Sequence, residues 1–103
     1  SGPFIAGAPL AIAVAMEVPK FAQVDAGRAI QSMTLAAWAE GVGSCYVGAF
    51  DKDTLKSLLG IPGAMELITV LPFGYPAKMP RGKRRKALRE IAHRERFGMP
   101  FEG

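Results

Sequence analysis

The basic segment, residues 81–86, holds five cationic side chains in six positions and is the part of the sequence best suited to binding an anion. An arginine guanidinium can bind phosphate oxygens through two parallel hydrogen bonds, whereas a lysine ammonium acts as a point charge. Taken alone, the segment fits three interpretations: a solvated basic stretch, a nucleic-acid contact, or a phosphate site. No aromatic residue is interleaved between Met79 and Glu95, so no nucleic-acid partner is predicted.

Other reactive side chains are isolated. Cys45 is the single cysteine, so it cannot form an internal disulfide, and it lacks the clustered Cys and His partners of a zinc site. We interpret it as a small buried hydrophobe, and His93 as a solvated side chain. There is no Ser/His/Asp set and no paired-carboxylate arrangement. The sequence therefore predicts no metal site and no catalytic side chain.

Composition predicts one globular domain. Half of the 103 residues are hydrophobic and 21% are charged, and a chain of this size is expected to bury roughly two-thirds of its unfolded surface. We assign residues 3–103 to the domain and interpret Ser1 and Gly2 as a tag remnant. The longest apolar run, residues 9–16, is too short to cross a bilayer. No membrane partner is therefore predicted, and the expected location is cytoplasmic.

Three elements are predicted before residue 50. Residues 10–16 form an apolar run typical of a strand buried on both faces. Asp25 then fits a helix N-cap, and the apolar spacing that follows predicts a helix buried almost all round, ended by Gly41 and Gly43. Met33 and Trp38 lie within this helix, so we expect both to pack in the core or at a dimer interface. Residues 45–50 follow as a short strand or an extended turn.

Three further elements follow that turn. Asp51 or Asp53 is expected to cap a brief helix, which Gly60 and Pro62 stop. Residues 66–73 predict a second buried strand, and a short helix is expected from Lys86. Strands alternating with helices indicate an α+β protein of layered sheet and helices.

The sequence resembles the FMN-dependent nitroreductase family in a block that spans the first predicted helix, which starts at Asp25, and the turn after it. The block reads Asp25-x-Gly27-x-Ala29-x-Gln31-x-Met33-x-Leu35-Ala36-Ala37, and then Gly41-x-Gly43-Ser44-Cys45-x-Val47-Gly48-Ala49-Phe50. Shorter matches follow in the same order at Leu59-Gly60-Ile61-Pro62, Gly74-Tyr75-Pro76 and Glu95-x-Phe97-Gly98. These pieces correspond to the C-terminal half of a family member.

The resemblance implies a nitroreductase-like α+β fold, truncated at the N-terminus, that forms an intertwined homodimer with FMN between the subunits. It implies transfer of a hydride from NAD(P)H through the flavin to nitroaromatic or quinone acceptors. Family members carry a comparable stretch before this point, rich in arginine and serine, that contributes to FMN binding. The partner is therefore a second copy of the chain or a missing N-terminal half on another chain.

The resemblance also implies which residues bind the cofactor. The pair Lys83 and Arg85 corresponds to cations that reach the FMN phosphate from the C-terminal arm. The glycine turn, residues 47–49, corresponds to the turn whose backbone amides face the flavin, which gives roles to Val47, Gly48 and Ala49. The absence of a side chain at Gly48 lets the main chain approach a ligand closely.

Two alternatives stay open at this stage. Gly43 and Gly48 also fit simple turn glycines that begin a strand. The whole chain also fits a truncated family member that dimerises or binds flavin without catalytic activity.

Overall fold

The computed structural model describes residues 6–18, 20–79 and 82–100, so the predicted tag remnant at Ser1 and Gly2 lies outside the described residues. Six elements follow one another along the chain: β1 (Leu10–Met16), α1 (Ala22–Ala39), β2 (Gly43–Ser44), α2 (Lys52–Leu59), β3 (Glu66–Gly74) and α3 (Leu88–Ile91). A small antiparallel sheet packs against helices, which confirms the predicted α+β class.

β3 is the central strand of the sheet, and the described strands lie in the order β1-β3-β2. It is buried along most of its length, as the apolar run predicts. The pairing with β1 is regular from Leu10 opposite Phe73 to Val14 opposite Thr69. The register then shifts, because Ala15 lies opposite Leu67 and leaves Ile68 as the extra residue of a β-bulge.

β1 has the predicted bounds, but the prediction that it is buried on both faces is wrong for the single chain. Leu10 is exposed and Ala13 is exposed, while Ile12 and Val14 are partly buried. β3 is the strand that pairs with β1 among the described residues, so β1 forms an edge of the sheet. The face of β1 that carries Ala11 and Ala13 is exposed in the single chain.

α1 begins earlier than predicted. Phe21 occupies the N-cap position, and Asp25 lies in the first turn, where its charge complements the positive end of the helix dipole. The end of the helix is as predicted, because Gly41 adopts a left-handed φ of 78°. The Gly41 N–H donates to the Trp38 carbonyl and the Val42 N–H to the Ala37 carbonyl, both at 2.9 Å, which is the Schellman pattern.

The core lies between one face of α1 and the sheet, where Ala26 and Ile30 contact Leu71 and Phe73. The opposite face of the helix is exposed, since Leu35 retains 59% of its accessible surface and Trp38 retains 47%. The prediction of a helix buried almost all round is therefore wrong for the single chain. Its apolar pattern is real, but Leu35 and Trp38 on the second apolar side stay largely exposed in the single chain.

Two shorter helices complete the chain. Asp51 caps α2 by accepting hydrogen bonds from the Thr54 N–H at 3.1 Å and the Thr54 hydroxyl at 2.8 Å. Gly60 ends that helix with a left-handed φ of 69°, and Lys56 Nζ donates to the Met65 carbonyl at 2.6 Å. The C-terminal helix is shorter than predicted, because α3 spans only Leu88–Ile91.

The molecule exposes more surface than a self-contained domain of its size. Its accessible surface is 8242 Å² for a mass of 11.0 kDa, whereas folded monomers of this mass expose about 5600 Å². The chain buries only about half of the surface of its unfolded state, and not the expected two-thirds. The radius of gyration, 17.3 Å, is likewise larger than the roughly 13 Å of a compact domain of this length.

Candidate functional site

The glycine turn is held against the central strand by one side chain. Val47 is 2% exposed and Thr69 is fully buried. The Val47 N–H donates to Thr69 Oγ1 at 3.3 Å, and the Thr69 hydroxyl donates to the Val47 carbonyl at 2.7 Å. Both backbone polar groups of Val47 are thus bonded to the same hydroxyl, so its amide is not available to a ligand.

Gly48 follows this anchored residue and is exposed. Within the described ranges its N–H has no hydrogen-bond partner. Among the described residues, apart from its two chain neighbours, a Cβ added at Gly48 would meet only the Tyr46 ring, at 3.9 Å, which is ordinary van der Waals contact. The backbone at Gly48 is therefore open to an approaching molecule, and Ala49 beside it is exposed as well.

Lys83 and Arg85 lie in the basic segment between β3 and α3, where residues 82–87 have no regular secondary structure. Both side chains are exposed. Neither makes an ion pair or a hydrogen bond with another residue in the described part of the chain. Both cations are therefore accessible to an anionic ligand.

An apolar groove of about 860 Å³ lies at the end of the sheet where β2 meets β3. Six of its wall residues are Trp38, Val42, Cys45, Phe73, Tyr75 and Pro76. Wall residues 42–45 lie just before the glycine turn in the sequence. Residues 47–49, Lys83 and Arg85 are not part of the wall. The structure of one chain thus does not bring the two predicted halves of the site into this groove.

Sequence reasoning missed two features of this region. It did not predict the apolar groove, whose wall includes Trp38, a side chain that is half exposed in the single chain. It also gave no role to Thr69, a threonine among the otherwise apolar residues 67–73 of β3. That isolated polar residue was the available signal, because a buried hydroxyl needs a hydrogen-bond partner.

The two remaining candidate side chains, Cys45 and His93, form contacts within the chain. Cys45 is exposed, contrary to the predicted burial, and its thiol donates to the Tyr46 carbonyl at 3.4 Å. His93 is half-buried and not solvated as predicted: Nδ1 accepts the Gly98 N–H at 3.0 Å, and its ring lies 4.3 Å from that of Phe97. The described residues include no cluster of three metal-ligating side chains.

No helix in the described part of the chain has both the length and the apolar character needed to span a membrane.

Comparison with known proteins defines the class. The nitroreductase family matches residues 1–75, which is most of this chain. The chain therefore belongs to the nitroreductase family, and the predicted resemblance is confirmed. The match ends at Tyr75, so the basic segment lies beyond it.

Individual relatives agree with this assignment. A protein of Methanothermobacter thermautotrophicus, provisionally named an NADH dehydrogenase/NAD(P)H nitroreductase, is 31% identical over an overlap that covers 77% of this chain and 46% of its own length. The crystal structure of a nitroreductase family protein from Clostridium difficile superposes with a TM-score of 0.76 at 29% identity, covering 89% of this chain and 62% of that one.

A third relative was solved with a flavin. Oxidised iodotyrosine deiodinase, bound to FMN and 3-iodo-L-tyrosine, superposes with a TM-score of 0.73 at 25% identity, covering 82% of this chain and 47% of that one. The chain thus spans about half the length of the proteins that it matches.

Proposed function

We propose that this chain is part of an FMN-dependent oxidoreductase that takes a hydride from NAD(P)H and delivers electrons to nitroaromatic or quinone acceptors. Family membership and the names of the relatives support an oxidoreductase role. The observation that carries the proposal is the N–H of Gly48, an exposed residue: this N–H lacks a partner in the described part of the chain and lies on a turn anchored to the central strand.

The residues of the glycine turn fit a flavin at one position. A flavin ring needs backbone donors that approach it closely, and a position without a side chain permits that approach. Gly48 meets this requirement, because it is exposed and the Tyr46 ring is the one described group beyond its chain neighbours within 4 Å of an added Cβ. Val47 contributes as an anchor of the turn rather than as a donor, since its N–H is bonded to Thr69.

The basic segment fits the phosphate of FMN. A dianionic phosphate is bound most strongly by charge-assisted hydrogen bonds, and a guanidinium can form two of them at once. Lys83 and Arg85 are exposed and have no ion-pair partner among the described residues. We propose that they bind the phosphate while Gly48 and Ala49 contact the ring.

A homodimer is part of the proposal. The exposed side of α1 and the exposed edge of the sheet are apolar, and the chain leaves about half of its unfolded surface uncovered. Both features support a partner chain that covers α1. In such a dimer the glycine turn of one subunit and the basic segment of the other could contribute to one site.

FMN, when bound, would supply the hydride and electron transfer between NAD(P)H and the acceptor. The protein's own contribution is position and electrostatics. The Gly48 N–H would donate a hydrogen bond to the ring, and Lys83 and Arg85 would balance the phosphate charge. No protein side chain is required to form a covalent bond, which agrees with the lack of a nucleophile–base pair in the sequence.

Flavin retention tests the proposal. The purified chain is mixed with FMN and desalted, and the visible absorbance of the protein fraction is recorded, followed by NAD(P)H oxidation with a quinone or a nitroaromatic compound. The proposal expects a yellow protein that oxidises NAD(P)H in the presence of an acceptor. A colourless fraction with no NAD(P)H oxidation would contradict it.

The second candidate function is a dimerising module without catalysis. The exposed apolar side of α1, with Leu35 and Trp38, favours assembly whether or not flavin binds. This candidate expects a colourless fraction that still sediments as a dimer. The desalting experiment and a sedimentation measurement together separate the two functions.

A further inference from the structure

Thr69 is the one buried polar residue of the described core, and the proposed chemistry gives it no direct role. It lies on β3 next to the β-bulge at Ile68. Its hydroxyl accepts the Val47 N–H and donates to the Val47 carbonyl. A single side chain therefore satisfies both polar groups of a residue 22 positions earlier in the sequence.

This pair of bonds replaces a strand ladder. β2 pairs with β3 through Gly43 opposite Gly74 and Ser44 opposite Phe73, and then regular pairing stops. Extended at the same register, Val47 would lie opposite Val70, next to Thr69 on β3. The chain thus still runs along the edge of β3 at Val47, but it is held there by a hydroxyl and not by backbone bonds.

We propose that Thr69 is a positioning residue for the cofactor: it fixes Val47 so that the next amide, that of Gly48, is presented to the flavin. This inference rests on the proposed function. Because the N–H and the carbonyl of Val47 are both bonded to Thr69, the first N–H of the turn that can bond to a ligand is that of Gly48. If backbone hydrogen bonds to β3 held the turn instead, β2 would be longer and Gly48 would lie closer to the sheet.

The chemistry of position 69 is specific. A hydroxyl is both a donor and an acceptor, so threonine and serine can bond to both groups of Val47. Valine has nearly the shape of threonine but can form neither bond. Since Val47 and Thr69 are shielded from water, the lost bonds are not replaced while the turn stays in place. The turn must then move or open.

The test is a graded series of variants, Thr69→Ser, Thr69→Cys and Thr69→Val. A thiol is a weak donor and a weak acceptor, so the cysteine variant is expected to fall between the other two and keeps the test informative if the valine variant does not fold. Circular dichroism first establishes that each variant is folded. Hydrogen exchange of the backbone amides in residues 47–49 is then measured without FMN, and FMN affinity is measured by fluorescence titration.

We expect exchange at Val47 to become faster in the order Ser, Cys, Val. FMN affinity should fall in the same order, by about tenfold or more for Thr69→Val and by less than about threefold for Thr69→Ser. The visible absorption band of any bound FMN should shift in Thr69→Val, because a loosened turn changes the hydrogen bond to the ring. A residue that only supports the fold would leave that band unchanged.

Two results would overturn the inference, and they have different consequences for the proposed function. If the wild-type chain binds FMN and folded Thr69→Val binds it equally well with an unchanged band, Thr69 does not position the cofactor, while the proposed function stands. If the wild-type chain binds no FMN, the proposed function and the inference that rests on it are both wrong.

Discussion

The exposed Gly48 amide is the smallest feature on which the functional account depends. Glycine at this position is not required by backbone strain, since the left-handed glycines are Gly41, Gly60 and Gly98. Nor is it required by packing, because the nearest described atom beyond its chain neighbours lies on Tyr46, 3.9 Å from an added Cβ. Within the described structure, a ligand that needs close approach of the main chain is the physical reason we find for glycine here.

The first prediction concerns this position. Gly48→Val should lower FMN affinity by about tenfold or more, because the branched side chain occupies the space that the ring would take. Gly48→Ala is the matched control and should have a smaller effect. Both variants should keep the melting temperature of the wild type. Titration with FMN and thermal denaturation check this, and full flavin binding by the valine variant would refute the close-approach argument.

The second prediction concerns the phosphate. The double variant Lys83→Ala with Arg85→Ala should weaken FMN binding by about tenfold or more, because charge-assisted hydrogen bonds to a dianion are lost. The double variant Arg84→Ala with Lys86→Ala removes the same charge from the same segment and should change affinity by less than about twofold. Equal losses in both double variants would indicate that only the net charge matters.

The residue-level assignments were only partly accessible from the sequence. The family pattern indicated residues 47–49 and the basic pair, but it could not show that Val47 is bonded through both its polar groups. That fact depends on a contact between residues 22 positions apart. Local sequence patterns do not show which distant residues are in contact. A single threonine among apolar strand residues indicates only that its hydroxyl needs a hydrogen-bond partner.

At the scale of elements, local chemistry was the reliable guide. The bounds of β1 and the Gly41 and Gly60 helix ends were predicted because each depends on residues within one turn or strand. The start of α1 was not, since Asp25 fits both an N-cap and the first turn of a helix that begins at Ala22. Both positions favour an acidic side chain, so the residue type alone could not separate them.

The third prediction concerns the cap of α2. Hydrogen bonds from the Thr54 N–H, and then from its hydroxyl, lower the pKa of Asp51 below its ordinary value of 3.8. A lowered folded-state pKa means that ionised Asp51 stabilises the fold above about pH 3.8, and that this contribution is lost as the pH falls through the folded-state pKa. Asp51→Ala should therefore destabilise the chain near neutral pH and by less in acid.

Chemical denaturation at a series of pH values checks this prediction. Asp53→Ala is the control, because it removes a first-turn acid that does not bond to Thr54 through its side chain. The control should show a smaller loss near neutral pH. Equal pH dependence in the wild type and Asp51→Ala would contradict the role of the cap.

At the scale of the whole molecule, the exposed surface is the feature that calls for explanation. The sequence predicted that β1 and α1 are buried, and their residues are indeed apolar, yet a large part of both is open in the single chain. An apolar pattern indicates that a face is buried in the functional protein, but it does not indicate whether the same chain or another chain buries it. The pattern is therefore consistent with burial at the proposed subunit interface.

The fourth prediction tests that interface. Leu35→Asp places a charge on the exposed side of α1, where the side chain is 59% exposed, and should dissociate the dimer because a charge buried between subunits is costly. Leu58→Asp is the control, because Leu58 lies on α2 and is 77% exposed. Sedimentation should show a monomer for the first variant and a dimer for the second. A dimeric Leu35→Asp chain would exclude this face as the interface.

The most direct measurement for the whole account compares FMN with riboflavin, which carries the same ring without the phosphate, in fluorescence titrations of the wild-type chain. We expect saturable FMN binding and an affinity for riboflavin lower by about tenfold or more, since the ring contacts remain but the contacts of Lys83 and Arg85 are lost. Equal affinities, or no saturable binding of either flavin, would contradict it.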